Sequence, residues 1–272
     1  MSTLRLIATD LDGTFLRPDG TVSATNLAAV RAASERGIVF VVATGRPFRW
    51  LDVLDGLAGT HSKVIVSNGA AVFDLAGGCI VQSFPLTGEV ALAVADDLRL
   101  EVPGMTFALE AASGFGYEPD CPTRQTELPD ALCAPLPELL TAIGPVIKLL
   151  GFHPGIESDE LTTRSRATVA DRLYLTHASV NAPYGMIELT APGVTKASTL
   201  EVLCAELGIA ADEVVAFGDM PNDVEMLEWA GRGFVVANGH PSLLRRFEAV
   251  PPNSSDGVGT TILDLLAAGR PY

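Results

Sequence analysis

Short apolar segments, each followed at once by small and polar residues, recur in both end portions of this 272-residue chain. They are rich in β-branched residues and have the length of buried strands: residues 4–9, 38–43, 64–66, 214–217 and 233–237. Helix-type segments lie between them, such as residues 24–36, which follow Ser23 and stop at Gly37. This alternation predicts an α/β fold with a doubly wound, Rossmann-like parallel sheet.

The first apolar segment ends in two carboxylates, Asp10 and Asp12, followed by Gly13 and Thr14. Ligands of open α/β sheets bind beyond the carboxyl ends of the strands. Two adjacent carboxylates repel each other unless a cation neutralises them, and oxygen ligands suit magnesium. One carboxylate can then attack as a nucleophile while the other transfers protons. A calcium loop is excluded because it needs glycine at its sixth position, whereas Gly13 is fourth from Asp10.

The strand–helix alternation is interrupted between about residues 85 and 188. Strand-type segments in this stretch are 105–110, 146–152, 172–176 and 186–190, helix-type segments are 87–101 and 157–170, and 119–137 reads as irregular. We therefore expect an inserted α+β cap domain at residues 85–188, within a catalytic core made of residues 1–84 and 189–272. An insertion is tolerated at a surface loop because its two ends can remain close together.

Composition excludes several classes of protein. The formal net charge of −15 argues against a DNA or RNA partner and requires local cations to hold any anionic substrate. No apolar run approaches the roughly 20 residues of a membrane span. The four cysteines form no C-x-x-C pair, and the first strand leaves no room for a signal peptide, so we expect a cytoplasmic protein with reduced thiols. The oligomeric state is left open between monomer and homodimer.

Four motifs now stand in a fixed order along the chain: Asp10-Leu-Asp-Gly-Thr14, Ala43-Thr-Gly-Arg-Pro47, Lys196 and Gly218-Asp-Met-Pro-Asn-Asp223. In this order they resemble the haloacid dehalogenase-like hydrolases, and specifically their Cof-type branch, which carries a large cap between the second and third motifs. Further segments typical of that branch are Ser67-Asn-Gly-Ala70, Asn238-Gly239 and Asp256-Gly-Val258. The resemblance covers nearly the full length outside the cap.

The resemblance implies catalytic roles for Asp10, Asp12, Thr44 and Lys196. Asp10 would be the nucleophile that forms an aspartyl-phosphate. Asp12 would protonate the leaving oxygen and then deprotonate the water that cleaves the intermediate. Thr44 and Lys196 would stabilise the transferring phosphoryl group, because phosphoryl transfer is catalysed mainly by positioning and charge stabilisation.

The resemblance also implies a metal site and a set of substrate contacts. Mg²⁺ would be held by the Asp10 carboxylate, the Asp12 backbone carbonyl and the Asp219 carboxylate, with Asp223 in or beside that set. Substrate contacts are expected from Leu11, Thr44, Gly45, Arg46, Lys196 and Asn222. For Arg46 a structural salt bridge remains an alternative.

The function expected from these residues is magnesium-dependent removal of phosphate from small phosphorylated metabolites, such as sugar phosphates, through an aspartyl-phosphate. Two alternatives on the same fold stay open: a phosphatase of a phosphorylated cofactor (flavin mononucleotide or pyridoxal phosphate) and a sugar phosphomutase. A regulatory binding protein is the non-enzymatic alternative. It is disfavoured because such a protein would be expected to have lost at least one of the acidic or basic motif residues, and all are present.

Overall fold

The computed structural model describes residues 3–57, 62–122, 130–177 and 183–268. The chain divides into two compact units, one made of Met1–Gln82 with Thr195–Tyr272 and the other of Ser83–Val194. The second unit contains the whole of the predicted insertion and extends beyond it at both ends. The fold class is the predicted one, an α/β core with an inserted α+β unit.

The first unit begins with a parallel set of strands. Its N-terminal elements are β1 (Leu6–Thr9), α1 (Ala24–Ser34), β2 (Val39–Ala43), β3 (Lys63–Val66), β4 (Ala71–Asp74) and β5 (Cys79–Ser83). The Ser23 hydroxyl caps α1 by accepting the Asn26 N–H at 3.0 Å. β1, β2 and β3 run parallel, whereas β4 returns antiparallel to β3. The sequence did not predict β4 and β5, which extend the sheet beyond its parallel part.

The second unit is a mostly antiparallel sheet with helices. Its elements are α2 (Gly88–Glu101), β6 (Thr106–Ala111), β7 (Gly114–Tyr117), β8 (Leu132–Cys133), α3 (Leu136–Ile143), β9 (Val146–His153), α4 (Ser158–Val169), β10 (Tyr174–Thr176) and β11 (Gly185–Thr190). The strand order is β10-β11-β9-β6-β7-β8. The prediction that residues 119–137 are irregular was wrong where β8 and the start of α3 lie, and residues 123–129 fall outside the described residues.

One face of this second sheet is apolar and the other carries buried charge. Phe107 and Leu109 pack with the helices through Leu98 and Leu161. Strand alternation turns the intervening residues to the opposite face, where Lys148 is 2% exposed. Its Nζ lies 2.9 Å from Glu188 Oε1 and 3.5 Å from Glu110 Oε2. Three ionisable side chains, one from each of three adjacent strands, therefore form a buried cluster on this face.

The chain then returns to the first unit and completes its sheet. The elements are α5 (Lys196–Leu207), β12 (Val214–Gly218), α6 (Val224–Trp229), β13 (Arg232–Val236), α7 (Pro241–Leu244), β14 (Glu248–Val250) and α8 (Gly257–Ala268). The eight-stranded order is β14-β13-β12-β1-β2-β3-β4-β5. Residues of α5 and α6, such as Leu200 and Met226, pack on the face of β1 and β2 that carries Ala8 and Val41, and α1 packs against α8.

This topology brings several predicted motifs to one edge of the sheet. β12, β1, β2 and β3 are adjacent and parallel, so their carboxyl ends lie side by side. Asp219, Asp10, Thr44 and Ser67 each come immediately after one of these strands. This is the edge at which open α/β sheets bind ligands. In the described part of the chain, no helix is both long enough and apolar enough to cross a membrane.

Candidate active site

The Asp10 carboxylate is buried at the end of β1 in contact with Lys196. The Lys196 Nζ lies 2.5 Å from Asp10 Oδ1, and the lysine is 1% exposed. Lys196 is the first residue of α5, whose start is fixed by reciprocal bonds between Thr195 and Ser198: the Thr195 hydroxyl accepts the Ser198 N–H at 3.0 Å, and the Ser198 hydroxyl accepts the Thr195 N–H at 2.9 Å. A capped helix start therefore sets the ammonium against the carboxylate.

A tight turn after β3 allows α5 to approach this edge. Gly69 has φ +99°, and a Cβ at this position would lie 2.1 Å from the Thr195 carbonyl oxygen. The Thr199 hydroxyl donates to the Gly69 carbonyl at 2.6 Å. The turn thus binds the first turn of α5, and only glycine leaves room for that contact.

Two further aspartates after β12 complete a buried acidic group. Asp223 Oδ1 accepts from Lys196 Nζ at 2.7 Å, and its Oδ2 accepts the N–H groups of Asp219 and Met220, both at 3.0 Å. Asp219 accepts the Thr14 hydroxyl at 3.2 Å. Asp10, Asp219 and Asp223 are all buried, and one carboxylate oxygen from each lies within 4.8 Å of the others. The set has the hard oxygen ligands that a divalent cation such as Mg²⁺ prefers.

Gly13 permits the loop after β1 to pass close to this group. It has φ +79°, and a Cβ there would lie 2.3 Å from Asp219 Oδ2. Its carbonyl accepts from Asn238 Nδ2 at 2.7 Å. Any larger residue would strain the loop and displace the Asp219 carboxylate.

Burial and mutual repulsion disfavour the ionised form of the grouped carboxyl groups. Burial, together with neighbouring carboxylates, raises the pKa of Asp10 to about 7 and that of Asp219 to about 9. Burial alone would lower the pKa of Lys196, but the charges of Asp10 and Asp223 outweigh it and raise that pKa. Three carboxyl groups thus face a single ammonium group, and a bound cation would favour their ionised form in place of bound protons.

The segment after β2 lies beside the turn after β3. Thr44 is buried, and its Oγ1 accepts the Arg46 N–H at 3.0 Å. A Cβ on Gly45 would lie 3.0 Å from Asn68 Oδ1, the atom that accepts from Asn222 Nδ2 at 3.1 Å. The Asn222 Oδ1 is buried and has no hydrogen-bond partner among the described residues. This part of the site therefore offers small, polar groups at close spacing.

Asp12 lies apart from the buried acidic group. Its side chain is 56% exposed, and both carboxylate oxygens are bound by the guanidinium of Arg46. The bonds to Asp12 are the main cause of the raised pKa of Arg46. The Leu11 side chain is fully buried, so any substrate contact from this residue would come from its backbone.

Sequence reasoning assigned no role to three residues that shape the site: Thr14, Asn68 and Asn238. Their hydrogen bonds reach Asp219, Asn222 and Gly13 respectively. The Ser-Asn-Gly run at 67–69 was a usable signal for a tight turn at Asn68, because asparagine and glycine tolerate positive φ. Asn68 has φ +57°. The partners themselves are distant in the chain and were not readable from it.

The chain is an α/β protein with buried carboxylates and an ammonium group at the carboxyl edge of its parallel sheet, where such folds bind ligands. A family model described as haloacid dehalogenase-like hydrolase matches residues 7–262. The chain belongs to this family, and the prediction of its Cof-type branch is confirmed.

Several proteins of similar sequence and structure are named as phosphatases or hydrolases. The chain is 30% identical to an HMP-PP phosphatase of Serratia proteamaculans (strain 568), over 88% of this chain and 86% of the relative. It is 27% identical to 5-amino-6-(5-phospho-D-ribitylamino)uracil phosphatase YitU of Bacillus subtilis (strain 168), over 93% of this chain and 94% of the relative. A solved haloacid dehalogenase-like hydrolase from B. subtilis superposes with a TM-score of 0.80 at 25% identity, covering 96% of this chain and 100% of the other. The protein is an enzyme that hydrolyses phosphate esters.

Proposed function

We propose that this protein is a magnesium-dependent phosphatase of small phosphorylated metabolites that works through an aspartyl-phosphate on Asp10. The observation that carries the proposal is the buried Asp10 carboxylate, bound by Lys196 at 2.5 Å and grouped with Asp219 and Asp223. A buried carboxylate at a strand end, next to a fixed cation, has the burial and charge environment of a nucleophile in phosphoryl transfer.

The donor set fits Mg²⁺. Asp10 and Asp219 would hold the ion through their carboxylates, with the Asp12 backbone carbonyl as a further ligand. Asp223 already accepts from Lys196 and two backbone N–H groups, so its part is to hold the other groups in place or to share the ion. When bound, Mg²⁺ neutralises phosphate charge and so favours attack by a carboxylate.

The reaction then divides among residues of this chain. An Asp10 oxygen attacks phosphorus as the bond to the leaving oxygen breaks, and Asp12 gives that oxygen a proton. In the second half, Asp12 takes a proton from water, whose oxygen bonds to phosphorus while the Asp10–phosphorus bond breaks. The Thr44 hydroxyl, the Gly45 N–H and the Lys196 ammonium stabilise the phosphoryl group, and Asn222 offers a further polar contact.

The names of the relatives support the substrate class. One relative is named for HMP-PP and another for 5-amino-6-(5-phospho-D-ribitylamino)uracil, a small phosphorylated metabolite. We propose that this protein acts on a compound of the same class. The inserted unit would set the specificity, since the strand-end residues supply contacts to a phosphoryl group and a metal and few to a leaving group.

A panel of phosphorylated metabolites, assayed for phosphate release with Mg²⁺ and again with excess chelator, tests this function. The panel includes sugar phosphates, flavin mononucleotide, pyridoxal phosphate and pyrimidine phosphates. We expect release that requires Mg²⁺ and a phosphorylated protein that is trapped by acid quenching. Transfer of phosphate between positions of one sugar, without release, would instead identify a phosphomutase. Full activity in chelator would refute the mechanism.

A further inference from the structure

The guanidinium of Arg46 holds both carboxylate oxygens of Asp12. Arg46 Nε lies 2.7 Å from Asp12 Oδ2 and Nη2 lies 2.6 Å from Oδ1. This two-point arrangement fixes the plane of a carboxylate as well as its position, which a lysine cannot do. The two residues are 34 positions apart in the chain and come from the ends of neighbouring strands, β1 and β2.

Arg46 is itself held by contacts that do not involve Asp12. Its Nη1 donates to the Trp50 carbonyl at 3.0 Å, its backbone N–H donates to Thr44 Oγ1 at 3.0 Å, and its carbonyl accepts the Ser67 N–H at 2.9 Å. Its side chain is 24% exposed, against 56% for that of Asp12. The arginine is thus the fixed partner of the pair and the carboxylate is the one that solvent or a substrate reaches.

We propose that Arg46 is a positioning residue that orients the Asp12 carboxylate for proton transfer, and that it does not serve as a ligand of the substrate phosphate. The inference rests on the proposed phosphatase function and assigns the part of Arg46 in it. The Nε/Nη2 edge of the guanidinium, which could bind a phosphate at two points, is already occupied by Asp12, and Nη1 donates to Trp50.

The pair suits both halves of the reaction. When Asp12 carries a proton on one oxygen, Arg46 keeps its bond to the other oxygen. The protonated carboxyl group therefore stays oriented towards the leaving oxygen. The proton passes to the leaving oxygen as its bond to phosphorus breaks and the bond from Asp10 forms. Asp12 is then a carboxylate that Arg46 holds at two points, ready to take the proton of the attacking water.

Substituted phenyl phosphates separate positioning from phosphate binding, because their leaving groups differ in acidity and hardly in shape. para-Nitrophenolate leaves readily without a proton, whereas phenolate needs one, because the pKa of phenol is about 10, like that of tyrosine. If Arg46 orients the acid, Arg46→Ala loses more activity as the leaving group becomes more basic. We expect the loss in kcat/KM to grow from severalfold with para-nitrophenyl phosphate to about a hundredfold with phenyl phosphate.

A double-mutant cycle tests whether Arg46 acts through Asp12. When Asp12 is already replaced by Asn, the further change Arg46→Ala should lower kcat/KM by less than about twofold, because the carboxylate to be oriented is gone. Arg46→Lys keeps the charge without the two-point geometry and should show a leaving-group dependence between those of wild type and Arg46→Ala. Thermal melts of each variant confirm that it is folded.

The outcomes distinguish this inference from the proposed function. Equal losses in kcat/KM along the phenyl phosphate series, or full additivity in the cycle, would show that Arg46 binds phosphate or only supports the fold, and would overturn the inference. A wild-type protein that releases no phosphate from any ester would overturn the proposed function instead.

Discussion

The ammonium nitrogen of Lys196 lies 2.5 Å from Asp10 Oδ1, although 186 positions separate the two residues in the chain. The inserted unit, Ser83–Val194, lies between them in sequence. Their contact depends on β1 and on the start of α5 meeting at one edge of the sheet, with Gly69 clearing the way for the helix. The same lysine also binds Asp223, so one buried cation joins three of the four motifs.

Asp10→Asn should abolish turnover while the protein stays folded. The amide oxygen can still accept from Lys196, but an amide cannot form the acyl-phosphate, so we expect kcat/KM to fall by at least a thousandfold. Phosphate release and acid-quenched phosphoprotein measure the loss. Asp19→Asn, on the exposed loop after β1, is the matched control and should be fully active. Activity of Asp10→Asn within about tenfold of wild type would place the nucleophile elsewhere.

Asp219→Asn should weaken the response of stability to Mg²⁺. An ion that binds only the folded state adds about 2.7 kcal/mol at a hundred times its Kd, so Mg²⁺ should raise the Tm of the wild type. The variant loses a carboxylate ligand, and its shift in Tm should shrink or vanish. Without Mg²⁺ it should be at least as stable as wild type, because one buried carboxylate is gone.

The control for this measurement is Asp96→Asn, whose exposed carboxylate pairs only with Arg99 among the contacts described. Its Mg²⁺-dependent shift in Tm should equal that of the wild type. An undiminished shift in Asp219→Asn would exclude this aspartate as a metal ligand.

Gly13→Ala and Gly20→Ala form a pair that separates backbone strain from crowding at the metal site. Both glycines have φ +79°, but a Cβ on Gly20 meets nothing within 4 Å, whereas one on Gly13 would lie 2.3 Å from Asp219 Oδ2. Each alanine should cost about 1 kcal/mol of backbone strain. Only Gly13→Ala should also lower kcat/KM, by about tenfold or more, because it displaces a carboxylate of the site. Urea denaturation and steady-state kinetics measure the two effects, and equal kinetics in the two variants would contradict the prediction.

Lys148→Met in the inserted unit should be strongly destabilising. It leaves Glu110 and Glu188 buried without the ammonium that lies between them, and breaking such a buried ion pair typically costs about 3–5 kcal/mol. Lys63→Met removes a partly exposed pair with Glu206 and should cost at most about 1 kcal/mol. The free energy of unfolding in urea gives both values. A small loss in Lys148→Met would mean that the two glutamates are readily protonated or solvated.

The sequence determined the class of fold and the positions of the chemical groups. Apolar runs at residues 4–9, 38–43 and 214–217 predicted β1, β2 and β12, because strands buried on both faces are apolar throughout. Ser23 was readable as the start of α1, because helix caps are local. Five of the described strands were not predicted: β4, β5, β7, β8 and β14. β8 is only two residues long, whereas the β-branched and aromatic residues on either side of Gly77-Gly78 were a local signal for β4 and β5 that was missed.

Only the tertiary structure decided which of the predicted site residues are buried together and which are exposed. Asp10 and Asp12 are two positions apart, yet the first is buried against Lys196 and the second is exposed and held by Arg46. Lys196 lies against the first carboxylate and Arg46 against the second, so the two carboxylates have separate surroundings. The sequence supplies the residue types, but burial and neighbouring charge set their chemistry, and both depend on which strand ends become adjacent when the sheet forms.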